Sequence, residues 1–134
     1  MRHIIQWDNA EKTVVLQQYT DNASKEDMYY LAKKSHDMLL EVEHRVHLII
    51  DEHNINLVLN SADMRYLQYW TPANQGAVVL VGQPVKLSYK RRIHQYGRKV
   101  APDAFKEPYF AESVEEARKF LIQTFDVKYE ERTE

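Results

Sequence analysis

The chain has 134 residues and no cysteine, with 44% hydrophobic residues, 28% charged residues and a formal net charge of −2 at pH 7. That length suits one domain built on one hydrophobic core, and the absence of cysteine excludes a disulfide framework, an iron–sulfur cluster and any thiolate zinc site. With only Gly76, Gly82 and Gly97 as glycines, neither a P-loop nor a dinucleotide-binding glycine fingerprint can be written anywhere in it.

Ile4–Trp7 and Thr13–Tyr19 read as two strands, and the polar stretch Asp8 to Lys12 between them makes an antiparallel hairpin. Ser24-Lys25-Glu26-Asp27 resembles a capping box and opens a first helix. Its inner stripe is Met28, Leu31, Ala32, Ser35, Leu39 and Val42, and it is expected to end near Glu43. The apolar run Val46 to Asp51 suits a central strand covered on both faces. A second helix starts at Ser61 and stops before Pro72, because proline cannot continue it. Ala77–Val81 is the next strand. A third helix begins at Pro84, with Val85, Tyr89, Ile93 and Tyr96 as its apolar row and Gly97 as its C′ residue. Tyr109-Phe110 marks a brief strand, and Ser113-Val114-Glu115-Glu116 caps a fourth helix that carries Ala117, Phe120, Leu121 and Thr124 inward.

The order is β-β-α-β-α-β-α-β-α, which predicts a single-domain α/β sandwich with a mixed, mostly parallel sheet and an opening antiparallel hairpin. Residues 1–126 form the domain and residues 127–134 are expected to be a charged, frayed tail. The longest apolar stretch, Ala77 to Val81, is far shorter than the ~20 residues that span a bilayer, and the start lacks a signal-peptide apolar region. A soluble, cytoplasmic protein is expected.

Three features carry a resemblance: the strand Leu48-Ile49-Ile50-Asp51 ending in an acid, Ser61 opening the next helix, and the closing Ser113-Val114-Glu115-Glu116-Ala117-Arg118-Lys119-Phe120-Leu121. In these the chain resembles a small bacterial family related to STAS domains, the anti-sigma-factor-antagonist fold, with a further similarity to CRAL-TRIO lipid-binding modules. The resemblance implies binding and regulation rather than catalysis. It makes Ser61 the counterpart of the antagonists' phosphorylatable serine, with Asn60 standing where those proteins carry an acid and no glycine following. A phosphate at a helix N-terminus would meet free backbone amides. As a residue type, Ser61 equally suits a plain N-cap.

The remaining candidates come from charge and spacing. Lys86, Lys90, Arg91, Arg92, Arg98 and Lys99 fall within fourteen residues, with Lys86, Lys90 and His94 on one row. Lys86, Lys90, Arg91 and His94 therefore form a candidate basic face for an acidic protein partner; no nucleic-acid motif accompanies it. The carboxyl ends of the strands bring Asp51, Asn60, Ser61, Gly82 and Lys86 to one edge, a candidate crevice for an anion or small ligand. Tyr66, Tyr69 and Trp70 cluster on one side of the second helix and are expected to form a homodimer interface, with a pocket wall or packing under a loop as the alternatives. His44, His47 and His53 with Asp51 and Glu52 invite a metal reading, but His44 and His53 lie at opposite ends of a strand, so no shared metal site is expected, and Ser35-His36-Asp37 cannot form a relay because consecutive helical residues diverge by about 100°. No catalytic residue and no cofactor is assigned. The expected function is a non-enzymatic regulatory or protein-interaction module of STAS-like type; the alternative is a carrier or sensor of a lipid-like or anionic small molecule, and an enzyme of unknown class ranks third.

Overall fold

Asn9 organises the first turn. Its side-chain carbonyl accepts from the amides of Thr13 (2.9 Å) and Val14 (3.2 Å), and its amide donates to Thr13 Oγ1 at 2.6 Å. A computed structural model, which describes residues 2–130, thus starts with an antiparallel hairpin of β1 (His3–Trp7) and β2 (Val14–Tyr19). There follow α1 (Lys25–Leu39), β3 (Val46–Asp51), α2 (Ser61–Tyr69), β4 (Gln75–Val81), α3 (Pro84–Val100), β5 (Pro108–Ala111) and α4 (Val114–Phe125). The element order and the mixed sheet are those the sequence predicts.

The sheet runs β1-β2-β3-β4-β5 in chain order, with every pairing after the hairpin parallel. Each crossover therefore steps the same way, and right-handed connections put all the crossover helices on one face. Strand alternation separates the two cores accordingly. Val14, Leu16, Ile49, Val79 and Val81 face α4, where Ala117 and Leu121 cover them. Val15, Leu48 and Val78 face α1 through Met38 and Leu39, and Met64 of α2 meets Ala101 and Phe105 beyond α3. β3 is central, as expected, and Ile49 is fully buried.

Several local expectations are corrected. The α1 helix stops at Leu39, earlier than Glu43, and Asn74 donates to the carbonyls of Leu39 (2.9 Å) and His44 (3.0 Å) there. The inward row of α3 is Leu87, Lys90 and Gly97, whereas Val85 is 81% exposed and Tyr89 and Tyr96 are also exposed. Gly97 does not end α3; the helix runs on to Val100, and Gly97 is needed because a Cβ there would sit 2.7 Å from the Phe105 ring. Thr124 points outward. The tail does not leave the fold at residue 127: Val127 is buried, Lys128 O accepts from Asn9, and the Tyr129 hydroxyl donates to Asp8 Oδ2 at 2.5 Å. Arg118 holds the same Asp8 carboxylate at 2.6 and 2.9 Å, so an ion pair and an apolar anchor fasten what charge composition alone reads as free. Residues 131–134 of the expected tail lie outside the described residues.

Candidate functional site

At the carboxyl ends of the strands the chain buries an ion pair. Glu52, just past β3, accepts from Lys90 Nζ at 2.5 Å, and the lysine side chain is only 5% exposed. Gly82 makes this geometry available, since a Cβ there would lie 3.3 Å from both Lys90 Cε and Leu87 Cδ2. The lysine stem thus lies across the end of β4. Burial pushes the Glu52 carboxyl above its usual range, with Lys90 offsetting only part of the effect.

Beneath α1, α2 and α3 a cavity of about 90 Å3 lies against the sheet. Leu48, Val78 and Leu80 form its floor, and Met28, Leu67 and Trp70 stand on the helix side. Gln17, Tyr19, Ser35, Glu52 and His94 bring polar atoms to the same space. Gln17 is spoken for in part, donating to Ser35 Oγ at 2.5 Å. Burial raises the Tyr19 hydroxyl far above its ordinary pKa, and the neighbouring Glu52 and Asp27 charges add to this. Left empty, a void of this size would cost about 2 kcal/mol at ~24 cal/mol per Å3.

His94 is the wall between this cavity and a second, outer feature. Its ring meets Phe105 edge-on at 4.8 Å and Phe110 at 5.4 Å, and its buried Nδ1 has no partner among the described residues. Burial, with Lys90 nearby, lowers its pKa to about 4. On the far side of His94 a groove of about 220 Å3 runs between α3 and β5, lined by Arg91, Gln95, Arg98, Pro108 and Phe110. The Arg91 guanidinium carbon lies 5.1 Å from the Phe110 ring centroid, and Arg98 is held by the carbonyls of Phe105 (3.4 Å) and Lys106 (3.2 Å). Among the described residues none of Lys86, Arg91, Arg92 and Lys99 has a carboxylate partner.

The residues singled out from sequence divide differently from expectation. The basic face splits: Arg91 is exposed and Lys86 half-buried, but Lys90 faces the core with Glu52, and His94 packs between two phenylalanines. The row shared by Lys86, Lys90 and His94 is thus for the most part an inner row, because a lysine can be buried where a glutamate neutralises it. The crevice also differs. Asp51 is engaged by Gln18 Nε2 (3.1 Å) and the His53 amide (3.0 Å), Gly82 is buried under α3, and Ser61 bonds the Tyr96 hydroxyl at 3.0 Å. None of Asp51, Asn60, Ser61, Gly82 and Lys86 lines the cavity or the groove described above. A strand order that never reverses has no switch point to open a crevice.

Ser61 is not the N-cap of α2. Asn60 is: its side chain accepts from the Asp63 amide at 2.9 Å, while Asp63 accepts from the Asn60 amide at 2.9 Å. Asp63 is buried and also takes Lys25 Nζ at 2.7 Å and the Tyr29 hydroxyl. Burial opposes its charge, yet these partners prevail and hold its pKa below the usual carboxylate range. In the aromatic trio, Tyr66 packs on Tyr29 at 4.5 Å and bonds its carbonyl, and Trp70 packs on His36 at 5.0 Å. Tyr69, 77% exposed, meets the Trp70 ring edge-on at 5.0 Å; the other two partner α1 and so shrink the expected interface patch. His47 is buried, and its Nδ1 accepts from the Ala77 amide at 2.9 Å. Among the described residues no group of three or more His, Asp or Glu is arranged to hold a metal ion, and no helix is long and apolar enough to cross a membrane.

Glu52 is the functional-looking residue that sequence reasoning weighed only as a metal ligand beside the histidines, never as the partner of Lys90. Its signal was its place one residue beyond Asp51 at the end of a buried strand, on the face that Leu48 and Ile50 share. No protein-family model, curated protein or solved structure matches this chain.

Proposed function

We propose that the protein is a non-enzymatic regulatory module of the STAS-like kind that holds an acidic protein partner along α3 and β5. The observation that carries this reading is the groove between those elements, with Phe110 on its floor and Arg91 and Arg98 on its rim. A planar guanidinium over an aromatic ring suits carboxylate recognition, because the ring orients the fork while its donors stay free. β5 is also an edge strand, so an extended acidic segment has backbone groups to pair with beside those arginines. The outer stripe of α3, with Val85, Tyr89 and Tyr96 exposed, adds apolar area of the kind found at interface centres.

The test is charge reversal. A partner captured by crosslinking in cells is purified, and its association with the wild type and with the Arg91→Glu, Arg98→Glu double variant is measured across a salt series. The expected result is an acidic partner whose association slows as salt rises and is lost in the variant. A partner that binds the variant undiminished, or whose binding ignores salt, overturns the reading.

A further inference from the structure

The cavity beneath the crossover helices has an apolar body and a polar end. Leu48, Leu67, Val78 and Trp70 supply the body. Tyr19 and Glu52, at the carboxyl ends of β2 and β3, supply the end. Lys90 engages Oε1 of Glu52, and no hydrogen bond joins Oε2, or the Tyr19 hydroxyl, to another described side chain. A donor and an acceptor thus line one cavity from neighbouring strands, both of them mostly buried.

Three considerations fix what belongs there. Glu52 and Lys90 already neutralise each other, so an ion among the remaining walls would lack a counter-charge and be costly. Water needs two to four polar partners, which Tyr19 and Glu52 offer at one end; Gln17 and Ser35 are bonded to each other, and the Leu48, Leu67, Val78 and Trp70 walls offer none. Size sets the third limit: a cavity of about 150 Å3 accommodates benzene, so about 90 Å3 admits roughly three to five non-hydrogen atoms and is far too small for a lipid chain.

We propose that this cavity is a binding site for a compact, uncharged molecule, apolar over most of its surface, that presents one hydroxyl group to Tyr19 and Glu52. The ligand hydroxyl accepts from the Tyr19 phenol and donates to Glu52 Oε2, and its hydrocarbon part displaces the void against Leu48, Leu67 and Val78. The site is separate from the α3–β5 groove, with His94 alone lining both, so it stands or falls independently of the partner.

Isobutanol is the probe, titrated into the full chain with its leucine and valine methyl groups labelled for NMR. Saturable shifts of the Leu48, Leu67 and Val78 methyls are expected, at roughly millimolar concentration for so small a ligand, with none from propionate, which matches isobutanol in non-hydrogen atoms but carries a charge. Ala32→Leu, which fills the cavity from α1, should abolish the shifts; if that variant does not fold, Ala104→Leu fills it from the other side. Tyr19→Phe should weaken isobutanol roughly five- to tenfold, the loss of one hydrogen bond, and leave xenon binding unchanged. Shifts that never saturate, equal binding of propionate, or undiminished binding by a folded filled variant would overturn the site. Unchanged isobutanol affinity in Tyr19→Phe would overturn the polar anchor.

Discussion

Glu52 and Lys90 are joined by a 2.5 Å hydrogen-bonded ion pair that ties the loop after β3 to the middle of α3. Removing one member leaves the other buried without a counter-charge. Lys90→Met is therefore expected to cost ~3–5 kcal/mol, while Lys90→Met combined with Glu52→Leu recovers most of that loss because two apolar side chains can share the space. Urea denaturation of the two single variants and the double variant measures the coupling. A double variant no more stable than Lys90→Met would show that the pair contributes by something other than mutual neutralisation.

At the start of α2 the capping role lies with Asn60, one residue before the serine that the STAS-like resemblance highlights. Asn60→Ala should lower stability by ~1 kcal/mol and Asn60→Ser by much less. Ser61→Ala, which removes only the bond to the half-exposed Tyr96, should stay within ~0.5 kcal/mol. Thermal melts of the three variants rank them, and a costlier Ser61→Ala would reverse the assignment.

Gly97 lies within α3, where alanine would ordinarily favour the helix by about 1 kcal/mol. Here the added methyl meets the Phe105 ring at 2.7 Å, so Gly97→Ala is expected to destabilise by ~1–3 kcal/mol, as overpacking does. Phe105→Leu should relieve part of that penalty in the double variant. A stabilising Gly97→Ala would mean that the ring moves aside freely.

The pKa of His47 and of His94 is lowered to about 4, in both cases chiefly by burial, with Arg45 adding to the effect at His47 and Lys90 at His94. A folded pKa below the unfolded value of ~6.5 means that the unfolded chain binds more protons between those values. The associated stability is complete above pH ~6.5 and is lost as pH falls toward 4. Glu52, raised by burial, acts in the opposite sense: its contribution is largest below the ordinary carboxylate pKa and declines as pH rises through the folded value. The difference between wild type and His94→Leu isolates one group. Since His94 Nδ1 has no partner to lose, the variant should shed up to ~3 kcal/mol of the acid-side slope between pH 7 and 4; parallel stability curves would refute the assignment.

The strands and their place along the chain were legible because short apolar runs bounded by turn residues, caps and prolines admit few other readings. The inner face of α3 was not. Val85, Tyr89, Ile93 and Tyr96 follow helical spacing, but so do Leu87, Lys90, His94 and Gly97. What selects the second row is a glutamate 38 residues away for Lys90 and a phenylalanine ring for Gly97, and neither partnership leaves a local trace. Asn60 was within reach of sequence, since Asn60-Ser61-Ala62-Asp63 places an acid three residues after a good cap. The cavity was beyond reach, because a void arises from how finished side chains fail to meet.

Because β1 to β5 are laid down side by side in chain order, each strand can pair with its predecessor as it emerges during synthesis. Among the described residues, the face bearing Val14, Leu16, Ile49 and Val79 is covered by α4 and the segment that follows it. A nascent chain therefore carries a nearly complete sheet with one oily side exposed, and apolar surface of that kind on an unfinished fold invites association with other chains. That exposure lasts until residues 112–127 have left the ribosome and docked on the sheet.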